Sequence, residues 1–189
     1  MPLPMRARRS RLAEPRVRVR SPRPEDQEEF LGAMRASREL HQPWLEPPTT
    51  PEAFAVLLRR VHEEFFEPLL VERLQDGALL GFFNFSWIIR GPLQSAFLGY
   101  GAVAAHTGHG YMTEGMRLTL RHAFTHMHLH RIEANIQPGN EPSIALARRC
   151  GLQREGYSVR YLRVGGSWRD HERWAITVED WLAHRADAD

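Results

Sequence analysis

The stretch that constrains this chain most runs from Leu98 to Gly115. A short apolar segment, Leu98 to Ala104, leads through Thr107-Gly108-His109-Gly110 into a helical periodicity. The apolar run has the length of a buried strand. Gly108 and Gly110 admit positive φ and let a ligand approach the backbone closely. Beyond them Met112, Met116, Leu120, Ala123, Phe124 and Met127 fall on one helical face. A strand that passes through glycines into a helix aims free backbone N–H groups at one spot, and the helix dipole adds about half a positive charge there. Such a turn can hold a phosphate without a lysine. Lysine is absent altogether, since all 25 basic residues are arginine. The spacing matches neither the six-residue dinucleotide fingerprint nor the P-loop. By itself the turn is either a pyrophosphate site or a plain strand-to-helix connection.

The 189 residues suffice for one domain with a sizeable core, and the formal charge is only +2. Without lysine there is no Schiff-base chemistry. Cys150 is the single cysteine, so no disulfide forms within the chain; beside Gly151-Leu152 it reads as a small buried filler. No apolar run reaches the ~20 residues of a membrane span, and no signal-peptide core is visible, so the expected compartment is the cytoplasm. Residues 1–15 form an Arg/Pro-rich arm that reads as disordered. It is either a solvated tail or an electrostatic contact for RNA or an acidic partner. The folded domain is expected over 16–182 and a tail over 183–189.

Val17-Arg18-Val19-Arg20 alternates like a first strand. A helix is expected from Glu25 to Leu40 and a second from Thr50-Pro51, a cap followed by a first-turn proline. The proline-rich loop between them carries Trp44, which is either a plug over the core or a wall of the acceptor site. Leu69–Leu74 and Leu79–Ile89 read as strands joined by an Asp76-Gly77 hairpin turn. His122 and His126 lie four apart, but no third ligand or His-Glu-x-x-His pattern accompanies them, and no metal site is expected.

In the strand Arg131–Gln137, Ile132, Ala134 and Ile136 share one face, while Arg131, Glu133, Asn135 and Gln137 share a polar one that either lines a cleft or is solvated. Asn140 is a natural cap for the helix Glu141–Cys150. Because Pro142 lacks an N–H, that cap reaches only the Ser143 amide. Tyr157–Val164 and Trp168–Val178 read as a last hairpin around Gly165-Gly166-Ser167.

Thr107-Gly108-His109-Gly110-Tyr111-Met112 resembles the acetyl-coenzyme A pyrophosphate loop of the GNAT N-acetyltransferases. That pattern is Arg/Gln-x-x-Gly-x-Gly/Ala; here Thr107 stands for Arg/Gln and Met112 for the small residue. Asn84-Phe85-Ser86, Leu98-Gly99-Tyr100, His130-Arg131-Ile132, Ala134-Asn135, Arg154-Glu155-Gly156-Tyr157 and Trp168-Arg169-Asp170-His171 are similar to the RimJ/RimL type, the ribosomal-protein-alanine acetyltransferases. The likeness is close over about residues 80–181 and loose before them. It implies a single-domain mixed α/β GNAT fold: a mostly antiparallel, seven-stranded mixed sheet with about four helices.

The resemblance also implies a site. Acetyl-coenzyme A is the cosubstrate, held by Val103, Gly108, His109, Gly110, Tyr111, Met112, Thr113 and Asn140. The amides near Val103 polarise the thioester carbonyl, Asn140 contacts the pantetheine arm, and Ser143 protonates the leaving thiolate. Trp44, Tyr100, Asn135 and Tyr161 frame the acceptor. Glu133 is the expected general base because it lies on the polar face beside the slot; some relatives carry a carboxylate just before the tyrosine matching Tyr161, where this chain has Arg160. The implied acceptor is the N-terminal amine of a protein or peptide, most of all an alanine of a ribosomal protein, met by a monomer or homodimer. The alternatives are a small-molecule amine, or a non-catalytic coenzyme A-binding or ribosome-assembly module.

Overall fold

A computed structural model describes residues 14–186. The expected arm at 1–15 therefore lies almost wholly outside the described residues, as does the end of the expected tail. In chain order the elements are β1 (Val17–Arg20), α1 (Gln27–Ala36), α2 (Arg38–His41), α3 (Pro51–Arg60), β2 (Phe66–Arg73), β3 (Leu79–Ile89), β4 (Ser95–Ala102), α4 (Tyr111–Thr125), β5 (Arg131–Ile136), α5 (Glu141–Arg149), β6 (Gln153–Val164), β7 (Ser167–Thr177) and α6 (Val178–Ala186). Short 3-10 turns precede α1 and α4. The seven strands form one sheet in the order β1-β2-β3-β4-β5-β7-β6. Every pairing is antiparallel except that of β4 with β5.

The helices differ from the sequence expectation in two ways. Among the described residues there are six α-helices, where about four were expected. The single helix expected to Leu40 breaks at Ser37, whose buried Oγ accepts a hydrogen bond from the Ala104 amide at 2.9 Å. Helix α6 also runs past residue 182, to Ala186, and Trp181 in its first turn packs against Phe124 with ring centroids 5.3 Å apart.

Alternation along the strands feeds two cores. On one face Val71, Phe83, Phe85, Leu98, Ile132 and Ala134 pack under Met116, Leu120 and Ala123 of α4 and Ile144 and Ala147 of α5. On the other, Leu70, Phe82 and Val103 pack under Phe30, Leu31 and Met34 of α1 and Phe54 and Leu57 of α3. Phe82 and Phe83, adjacent in sequence, thus enter opposite cores, as a period of two requires. The expected cap holds as well: Thr50 accepts the Ala53 amide at the start of α3.

The feature that positions the site is a failure of pairing. β4 and β5 are in register only at Ser95–Arg131, Ala96–Ile132 and Phe97–Glu133. Leu98 to Ala102 and Ala134 to Ile136 have no partners across that gap, so the sheet opens at its centre.

Candidate active site

The opening of the sheet leads into a cavity of about 470 Å³. One wall is Tyr100, Gly101 and Ala102 of β4. The floor is the glycine turn with Tyr111, Met112 and Thr113 of α4. Asn140, the cap of α5, and Pro142, Ser143, Leu146 and Arg149 within it form the second wall, and Leu40, His41, Trp44 and Leu45 close it from above.

The turn has the conformation the glycines were expected to supply. Gly108 and Gly110 have φ of 80° and 78°, and Gly110 caps α4 from the left-handed region. Arg16 braces it from outside, donating to the His109 carbonyl at 3.1 Å and pairing with Glu114. The 15-residue helix starts here, so its unsatisfied first-turn amides and dipole face the floor of the cavity. At the same end Arg149 donates to the Thr113 hydroxyl at 3.0 Å. A cationic, amide-rich floor suits a pyrophosphate.

On the opposite wall the Asn140 side chain accepts the Ser143 amide at 3.3 Å, the one bond the neighbouring Pro142 leaves to it. The Ser143 hydroxyl lies 2.8 Å from the Tyr100 hydroxyl. Burial pushes the Tyr100 phenol up to about 12, against the opposing pull of its bond to Ser143. The roof is tied to the walls: His41 Nε2 lies 2.8 Å from the Ala102 carbonyl, and Gln137 donates to the Trp44 carbonyl at 2.9 Å. A carbonyl only accepts, so Nε2 carries a hydrogen. The other ring nitrogen, Nδ1, is buried and has no hydrogen-bond partner among the described residues.

Of the expected cofactor-binding residues, Gly108, Gly110, Tyr111, Met112, Thr113 and Asn140 line the cavity; Val103 and His109 do not. The Val103 amide donates to the Leu80 carbonyl at 2.9 Å, and its side chain belongs to the core under α1 and α3. Backbone groups alternate along a strand, so the amide that points away from β3 is that of Ala102. His109 turns back on its own loop, with Nδ1 2.8 Å from the Thr107 carbonyl and its ring stacked on Tyr111.

Of the expected acceptor residues, Trp44 and Tyr100 line the cavity. Asn135 and Tyr161 lie outside it. Tyr161 packs against the Arg173 guanidinium at 4.9 Å.

Ser143 lines the cavity, but Glu133 does not. One Glu133 oxygen accepts from Arg131 at 3.1 Å and the other from Arg173 at 2.6 Å. On the polar face of β5 Glu133 is thus the counter-ion of Arg131 and Arg173, where a base was expected. His122, part of the weak metal pattern, instead contacts Glu67 at 2.6 Å.

Sequence reading missed His41 and Arg149. His41 sits in a four-residue helix, too short to show a periodicity. Arg149 was legible only as a basic residue in the last turn of α5, where most arginines merely answer the helix dipole.

The family profile described as acetyltransferase (GNAT) domain matches residues 16–153. Probable N-acetyltransferase YjcK of Bacillus subtilis is 41% identical over 105 residues, 56% of this chain and 58% of that protein. The [ribosomal protein uS5]-alanine N-acetyltransferase of Escherichia coli is 38% identical over 107 residues, 57% of this chain and 55% of that protein. The matched stretch therefore spans little more than half the length of these curated relatives. The solved structure of Mycobacterium smegmatis RimJ in complex with CoA-disulfide superposes with a TM-score of 0.81 and 33% identity, covering 91% of this chain and 88% of that one.

Proposed function

This chain belongs to the GNAT acetyltransferase family, and on that premise we propose that it transfers the acetyl group of acetyl-coenzyme A to the N-terminal α-amine of a protein, with an alanine-start ribosomal protein as the favoured acceptor. The observation that carries this reading is convergence: the glycine-turned start of α4, the unpaired edge of β4 and Ser143 meet in one cavity. The relatives named for RimJ and for uS5-alanine acetylation support the choice of acceptor.

Each part of the cavity has a use in this chemistry. The residues fit acetyl-coenzyme A: a left-handed glycine at a helix start and Arg149 suit its pyrophosphate, and the gap between β4 and β5 admits an extended arm. That cosubstrate supplies the activated acetyl group. The Ala102 amide, directed away from β3, is the donor we assign to the thioester oxygen, since preorganised N–H groups stabilise charge developing there. Ser143 is the proton donor to the leaving sulfur. An α-amine has a pKa near 8, so part of it is already neutral at physiological pH and loses its proton to solvent after attack. With Glu133 occupied by two guanidiniums, no carboxylate base is invoked.

The test is thiol release from acetyl-coenzyme A with peptides beginning Ala, Ser or Met, and with spermidine and an aminoglycoside as small amines. Turnover confined to Ala- or Ser-start peptides is expected. Turnover on the small amines alone would overturn the acceptor and keep the family chemistry.

A further inference from the structure

We propose that the Tyr100 hydroxyl sets the direction of the Ser143 hydroxyl hydrogen, making Tyr100 the positioning residue of the proton donor. The inference rests on the reading of Ser143 as that donor.

The Ser143 backbone is pinned by the Asn140 cap and follows Pro142 at the start of α5. Its remaining freedom is the side-chain rotor and the hydroxyl hydrogen. A serine hydroxyl has one hydrogen to give and two lone pairs to receive. Left alone at a helix start, it turns back to a backbone carbonyl of the preceding turn. Tyr100 competes with that. Its oxygen is 2.8 Å from Ser143 Oγ and 3.4 Å from the Ser143 carbonyl, and its ring is held against Phe83 with centroids 5.7 Å apart. A phenol is protonated across the neutral range, and burial raises Tyr100 further, so its hydrogen is available to give. When Tyr100 gives its hydrogen to Ser143 Oγ, that oxygen's own hydrogen is left for a group in the cavity.

The proton count balances. As the carbon–sulfur bond breaks, sulfur keeps the electron pair and takes the Ser143 hydrogen. The hydrogen bond from Tyr100 supports the charge that builds on the serine oxygen. The attacking amine sheds one proton to solvent, and one returns from solvent to Ser143.

The test is a double-mutant cycle on thiol release, with an Ala-start peptide as acceptor, or water where no peptide turns over. Ser143→Ala is expected to cut kcat by about a hundredfold, the ordinary worth of a general acid. Tyr100→Phe, which keeps the ring, is expected to cut kcat about tenfold, a coupling of the size neighbouring groups show. Acetyl-coenzyme A affinity should hold in both. In the Ser143→Ala background, Tyr100→Phe should cost nothing more. An equal loss in both backgrounds would mean that Tyr100 acts through packing alone, and a fully active Tyr100→Phe would likewise overturn the inference. If Ser143→Ala itself is fully active, the acid reading falls and this inference with it. A second readout needs no turnover: the ultraviolet absorbance of bound coenzyme A thiolate at mildly alkaline pH. A directed Ser143 donor stabilises the thiolate, so Tyr100→Phe should lower its fraction, and an unchanged fraction would refute the role.

Discussion

Replacing Gly110 by alanine isolates the backbone geometry of the proposed pyrophosphate turn. Gly110 caps α4 with φ 78° and ψ 1°. A Cβ built there meets nothing closer than the Arg16 guanidinium at 3.5 Å, an ordinary contact. The whole cost is therefore conformational, about 1–2 kcal/mol for a non-glycine residue in the left-handed region. That energy can appear in two places. If the turn keeps its shape, stability falls, and for a domain of this size the melting temperature drops by about 2–8 °C. If the turn relaxes, the α4 amides lose their common aim and binding must restore it, weakening coenzyme A affinity by at most about 5- to 30-fold. Melting in the absence of ligand and calorimetric titration with coenzyme A measure the two shares. Gly110→Asn should cost less in both, because asparagine tolerates the left-handed region. The reasoning is refuted if Gly110→Ala changes neither quantity, or if asparagine does as badly as alanine.

A methyl group at Gly81 would stand 2.6 Å from both the Gly101 carbonyl and the Met112 sulfur. Gly81→Ala should therefore destabilise the fold by about 1–3 kcal/mol and weaken coenzyme A binding by displacing the cavity wall, as melting and titration would show. Glu133→Gln should cost stability, about 1–3 kcal/mol from two weakened guanidinium bonds, and leave the pH profile of kcat/KM in place; a profile that loses its lower limb would restore Glu133 as the base. Burial alone would raise the Glu72 and Asp26 carboxyls, but arginine hydrogen bonds outweigh it, from Arg20 and Arg18 to Glu72 and from Arg20 to Asp26, and hold both below their ordinary values. Their contribution is thus complete above the unfolded carboxylate range near pH 4 and fades as pH falls through the lower folded values. Arg20→Ala should lower the neutral-pH melting temperature and shrink its further fall in acid. Burial pushes the Cys150 thiol up to about 11, and the residue is 1% exposed, so alkylation should be slow in the folded protein and accelerate when denaturant opens it.

The sequence by itself determined what local chemistry can express. Glycines at 108 and 110 before a helical apolar stripe fixed the turn, because few other residues accept that φ. Asn140 before Pro142 fixed the cap that orients Ser143, because a missing N–H left one bond to make. The Asp76-Gly77 turn marked the hairpin of β2 and β3, because glycine there takes the positive φ a tight turn needs. Tertiary structure decided what depends on partners distant in the chain. Glu133 read as a base until β7 brought Arg173 to it, across 40 residues. Val103 lost its expected role because β3 claims its amide, and a strand's alternation does not say which edge each amide faces. The contacts of His41 with Ala102 and of Tyr100 with Ser143 likewise join residues 61 and 43 positions apart. Those distances are closed by the packing of both cores against a sheet that opens at its centre, and no spacing along the chain encodes them.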